Sequence, residues 1–135
     1  MSLSQEDADT ADKALPVLYG APEGYDGLVL AERARELAKD KRAVIHVALD
    51  DRRIETLKAV LDFFASDVEV AVLPAWDCLP YDRVSPHSYI VASRIEALSQ
   101  CIGWQEDRKY LPRILLTSVN AITQKVMPSE SLKKL

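Results

Sequence analysis

The chain is 135 residues long, enough for one domain with a single sizeable core. Its 48% apolar and 28% charged residues match an ordinary globular mixture, which argues against a fibrous or disordered protein. A formal net charge of −4 argues against a stand-alone nucleic-acid binder, which normally carries a basic face.

In chain order, "MSLSQEDADTADKA" (residues 1–14) is polar and acidic and reads as a disordered or tag-bearing terminus. "LPVLYG" is a short apolar run closed by Gly20 and predicts a buried strand. "GLVLAERARELAKDK" predicts a helix with Leu30, Ala34 and Leu37 on one face and Asp26 as its N-cap. "AVIHVAL" (Ala43–Leu49) is continuous and β-branched, the pattern of a strand covered on both faces. "DDRRIETLKAVLDFFAS" follows, with Ile54, Leu57, Leu61 and Phe64 at helical spacing and Asp50 or Asp51 to cap its start.

"VEVAVLP" (Val68–Pro74) predicts a third strand, and the loop "LPAWDCLPYDRVSPH" after it carries three of the seven prolines. A helix is expected to start at Ser85–Pro86, because Ser is a favoured cap and Pro suits the first helical position. Val91, Ile95, Leu98 and Ile102 give it an apolar stripe. "GWQEDRKYLP" reads as a polar turn, "RILLTS" as a fourth strand, and "VNAITQKVM" as a short helix ended by Pro128. Strand–helix alternation of this kind predicts an α/β fold: a mostly parallel sheet with helices on both faces. Residues 15–128 are expected to form that subdomain, and 129–135 read as the start of a linker, so the sequence is expected to be a piece of a longer chain.

Ligands in such sheets sit at the carboxyl ends of the strands, so the first turn, Gly20 to Gly27, is the place to look for a site. A phosphate loop reads G-x-x-x-x-G-K-[ST]. Counting from Gly20, Tyr25 stands at the second Gly position, Asp26 at the Lys position and Gly27 at the hydroxyl position, with Gly24 just before them. A carboxylate there repels phosphate, and no hydroxyl is present for magnesium. Other chemistry is thin. His46 lies in an apolar run and reads as a core histidine, and His87 reads as a surface or partner contact. Cys78 lacks a local His or Asn partner and reads, with Cys101, as a reduced thiol. Asp50 and Asp51 are explained by capping rather than by a metal, and Lys39, Lys41, Arg42, Arg52 and Arg53 read as a solvated basic face. No catalytic residue, metal or cofactor is assigned.

The stretch "LPAWDCLPYDRVSPHSYIVASRIEAL" resembles a pattern of bacterial transcription-repair coupling factors, L-P-x-W-[DE]-x-L-P-Y-[DE]-x-x-S-P-…-S-R-…-L. The matching positions include Trp76, Asp77, Leu79, Pro80, Tyr81, Asp82, Ser85, Pro86 and Arg94, and "SVNAITQKVMP" is similar to a second stretch of the family. The resemblance implies a domain like the first α/β subdomain of the excision-repair protein UvrB, with a degenerate P-loop. It also implies a non-catalytic scaffold in transcription-coupled nucleotide excision repair, which supports recruitment of UvrA through an adjacent inserted domain and holds the free protein inhibited. ATP and magnesium would serve motor domains elsewhere in the full-length translocase, as would RNA polymerase and DNA contacts. The expected location is the cytoplasm, with no membrane partner. The competing expectation is an enzyme that binds nucleotide or phosphate through an atypical first loop. Arg94 is expected to reach a carboxylate (Asp77 or Asp82) or a carbonyl of the Trp76–Asp82 loop.

Overall fold

The computed structural model describes residues 17–78, 83 and 85–135. Its elements are α1 (Tyr25–Ala38), β1 (Val44–Ala48), α2 (Asp51–Phe64), β2 (Glu69–Leu73), α3 (Ser88–Glu106), β3 (Arg113–Ser118), α4 (Val119–Thr123) and α5 (Ser129–Leu132). The three strands form one all-parallel sheet in the order β1-β3-β2. The α/β fold expected from strand–helix alternation is therefore present.

The chain steps from β1 over the β3 position to β2, then back to β3. Right-handed crossovers in opposite directions place α2 and α3 on opposite faces of the sheet. The side chains agree. Val70 and Val72 pack toward α1 and α2, whereas Ala71 and Leu73 are buried beside α3. The larger core lies on the α1–α2 face, where Ala31, Ala34, Ile54, Leu57, Leu61, Ile114 and Leu116 meet. Burying a leucine such as Leu57 or Leu61 contributes about 1.5–3 kcal/mol. The inner face of α1 is small, with Gly27, Ala31, Ala34 and Ala38 buried in succession, so α2 can approach it closely.

Several expectations are corrected. The described part of "LPVLYG" is not a strand: Val17, Leu18 and Tyr19 are 63%, 63% and 85% exposed. An apolar run becomes a strand only where a neighbour completes its ladder, and no described residue does so. Helix α1 starts at Tyr25 with Gly24, at φ 88°, as its N-cap, so Asp26 lies inside the first turn. Strand β1 is covered on one face only, because no described helix lies over its outer side, and Ile45 and Val47 are 63% and 42% exposed. Phe64 is exposed at the end of α2, whose cap is Asp50 through its bond from the Arg53 N–H.

Helix α3 starts later than expected, at Ser88, since His87 supplies the first accepting carbonyl (to Ile90 and Val91) while its own N–H is held by Asp77. It also runs on through Gly103 and Trp104 to Glu106, where a turn was expected. Its deepest residues are Arg94 and Ala97, and the expected stripe of Val91, Ile95, Leu98 and Ile102 is half-buried beside them. Helix α4 ends at Thr123, well short of Pro128.

Candidate functional site

Two loops meet the carboxyl edge of the sheet, and both are filled by the protein's own side chains. In the first turn, Gly20 and Gly24 have positive φ, 72° and 88°, which glycine adopts without the Cβ penalty. Gly27 serves packing. A Cβ there would stand 2.6 Å from Val60 Cγ1 of α2. Asp26 turns its carboxylate onto the helix start, where Oδ1 accepts from the Gly27 N–H at 3.0 Å. Its Oδ2 accepts from Arg53 Nη2 at 2.7 Å, and Glu23 lies 3.8 Å from the same guanidinium.

The cleft beside this pair holds Glu23, Asp26, Asp50, Arg52, Arg53 and His46. Its three carboxylates oppose its two guanidinium groups, so it presents no cationic cradle for a polyphosphate. His46 is half-buried, and burial pushes its imidazole below the ordinary value against the pull of Asp26. It lines the cleft rather than the apolar core, where the sequence led us to expect it.

The second loop is built around Arg94, which α3 carries under the end of β2 at 2% exposure. Its guanidinium donates to the carbonyl of Pro74 and, at 3.4 Å, to that of Lys125. It also lies over the Trp76 ring, 4.6 Å from the centroid. The Trp76 N–H donates to Gln124 Oε1 at 2.8 Å, so the loop after β2 is tied to the segment after β3. Arg94 thus reaches the Pro74 carbonyl, just before the expected loop segment, and the distant Lys125 carbonyl, and not Asp77, whose carboxylate accepts from the backbone N–H and Nδ1 of His87. That bond holds the Asp77 carboxyl below its usual range. Ser85 and Pro86 precede the helix without helical structure. Leu79, Pro80, Tyr81 and Asp82 lie outside the described residues.

Sequence reasoning missed Gln124 and Arg113. Arg113, at 7% exposure, donates to Glu69 Oε2 at 3.2 Å, to Asp107 Oδ2 at 2.5 Å and to the Trp104 carbonyl at 3.3 Å. The only sequence signal for it was a charge at the start of an apolar strand. Nothing local marked Gln124, whose partner is 48 positions away. Arg53 is exposed, as expected of a solvated basic face, and its pairing with Asp26 is an addition the sequence did not show. Among the described residues no helix is long and apolar enough to cross a membrane.

No protein-family model matches the chain, and no solved structure matches it. Three curated proteins do, each named transcription-repair-coupling factor. The one from Haemophilus influenzae is 29% identical over 129 residues, covering 96% of this chain and 10% of that protein. The Rickettsia prowazekii protein is 26% identical over 67% of this chain and 8% of its own length. The Escherichia coli protein is 36% identical over 50% of this chain and 5% of its own length. The chain therefore spans a tenth or less of the length of the curated relatives it matches.

Proposed function

We propose that the chain, similar to transcription-repair-coupling factors as the Trp76–Arg94 pattern implied, acts as a non-catalytic scaffold in transcription-coupled nucleotide excision repair. In this reading it is the platform from which a neighbouring domain recruits UvrA and against which the free protein is held inhibited. ATP, magnesium, DNA and RNA polymerase belong to other parts of the full-length translocase.

One observation carries the platform reading: the outer face of β1 is apolar and uncovered. Ile45 and Val47 stand 63% and 42% exposed on a strand whose second edge has no partner among the described residues. Beside them a cavity of about 280 Å³ is lined by Cys101, Trp104, Leu111 and Leu115. Parallel sheets are normally covered on both faces, and contiguous apolar surface of this kind marks a protein interface. The acidic excess of the Asp26–Arg53 cleft supports the non-catalytic half of the reading.

The test is association in trans. The 135-residue chain, immobilised, should capture the remainder of the full-length protein. Ile45→Glu combined with Val47→Glu should weaken capture by at least about tenfold, the equivalent of ~1.4 kcal/mol. Capture unchanged by the double variant, with its melting point preserved, would sink the platform reading.

A further inference from the structure

The sheet has a second open edge, on the side away from β1. In a parallel ladder alternate residues address the same neighbouring strand. The Glu69 N–H donates to the Pro112 carbonyl at 2.9 Å, and the Leu73 carbonyl accepts from Thr117 Oγ1 at 3.1 Å. Glu69, Ala71 and Leu73 therefore turn their peptide groups toward β3, which leaves the N–H and C=O groups of Val70 and Val72 facing outward. No described strand pairs with that edge.

The edge does not open onto flat surface. It forms the floor of a groove of about 440 Å³ between α2 and α3, a volume in the range of sites that hold small ligands and peptide side chains. The groove is apolar within, from Ile54, Val70, Val72, Pro74, Ile90 and Ala97. Its rim is acidic. Asp51 and Glu55 stand on α2 and Glu96 on α3, and among the described residues none of the three is in an ion pair. The one cation on the rim, Lys58, is held by Asp62 at 2.7 and 3.0 Å.

We propose that this groove is a β-addition site: it takes an extended segment of a partner protein in which Lys or Arg alternates with a β-branched residue. Outward peptide groups supply the ladder, which gives affinity, and the two helix walls read alternate side chains, which gives specificity. Apolar side chains fit the Ile54 and Ala97 walls, and cationic ones meet Asp51, Glu55 and Glu96. The same rim repels nucleic acid and anionic lipid. This site is separate from the β1 face and uses the opposite edge of the sheet.

The test titrates the isotope-labelled 135-residue chain with an acetylated, amidated hexapeptide alternating Lys and Val, and with its Glu/Val counterpart. The Lys/Val peptide should shift the Val70 and Val72 amides and slow their exchange with solvent. The Glu/Val peptide should bind at least about tenfold more weakly. Glu55→Lys combined with Glu96→Lys should reverse that preference. Val72→Pro removes one outward N–H at a position where an edge strand tolerates proline, and should lose about tenfold or more. If Val72→Pro does not fold, the charge-reversal pair alone decides. The proposal is overturned if neither peptide moves the β2 amides at about 1 mM, if both bind equally, or if sedimentation shows the chain pairing with itself through β2.

Discussion

Replacing Arg94 by alanine removes a side chain that, alongside Gln124, joins the loop after β2 to the segment after β3. Two hydrogen bonds from a charged donor contribute about 1.5–3 kcal/mol each in favourable cases, and the 3.4 Å bond to Lys125 belongs at the lower end. Stacking on Trp76 at 4.6 Å adds about 0.5–2 kcal/mol. Against these stands the desolvation of a guanidinium that is 2% exposed, which is recovered when the charge is deleted. The difference leaves a loss of about 2–4 kcal/mol, within the range seen when a buried polar network is broken. For a chain of 135 residues that corresponds to a melting point lower by about 10 °C. Arg94→Lys keeps the charge but loses the planar fork and the stacking, and should cost about half as much. Urea unfolding of the two variants and of Trp76→Leu, combined with Arg94→Ala in a double-mutant cycle, measures both terms. A coupling of at least ~0.5 kcal/mol is expected. Arg94→Ala within about 0.5 kcal/mol of the parent would refute the reasoning, because such a value describes an exposed surface residue.

Two further outcomes follow from the geometry. Gly27→Ala places a methyl 2.6 Å from Val60 Cγ1 and should destabilise by about 1–3 kcal/mol, with most of the loss restored by adding Val60→Ala; equal losses in the single and double variants would count against close α1–α2 packing. Asp77 has a carboxyl held below its ordinary value, chiefly by the hydrogen bond from His87, so its contribution is present above the unfolded value near ~3.9 and is lost as pH falls through the folded one. Asp77→Asn should therefore unfold at lower urea than the parent near neutral pH, the two converging in acid; a gap independent of pH would show that the pair contributes nothing through charge.

Helix α2 was legible because its stripe of Ile54, Leu57 and Leu61 has a strict period and Asp50 caps it. Strands β2 and β3 were legible as short β-branched runs between turns, and their parallel pairing followed from the helices between them. What failed depended on partners. "LPVLYG" has strand composition, yet strand formation needs a neighbour that local sequence does not specify. Gly103 was read as a helix end, but the Asp107 N–H still donates to its carbonyl at 2.9 Å, and a glycine with open space around it interrupts nothing. Arg94 sits inside an apolar stripe, where its charge suggested some partner. That the partners are carbonyls 20 and 31 positions away is a tertiary fact. Asp26 was legible as a charge that fails a phosphate, whereas its guanidinium partner, 27 positions on, was not.

The two filled loops and the two open edges have a common physical origin. In an open α/β sheet the carboxyl edge is where helix starts and outward loops converge, so it is the default place for an anionic ligand. Here Asp26 is that anion. It takes the helix-start N–H of Gly27 and the nearest guanidinium, Arg53, and a free phosphate would have to displace a tethered carboxylate from both. The tether is the decisive quantity, because the local concentration of a side chain one bond from its helix far exceeds that of any solute. Arg94 is satisfied in the same internal way, by carbonyls and Trp76. A sheet edge differs: its outward peptide groups and the side chains above them are fixed by the strand and have nothing within the described chain to pair with. Val70 and Val72 on one side, and Ile45 and Val47 on the other, retain the unpaired groups and apolar surface that association can still satisfy.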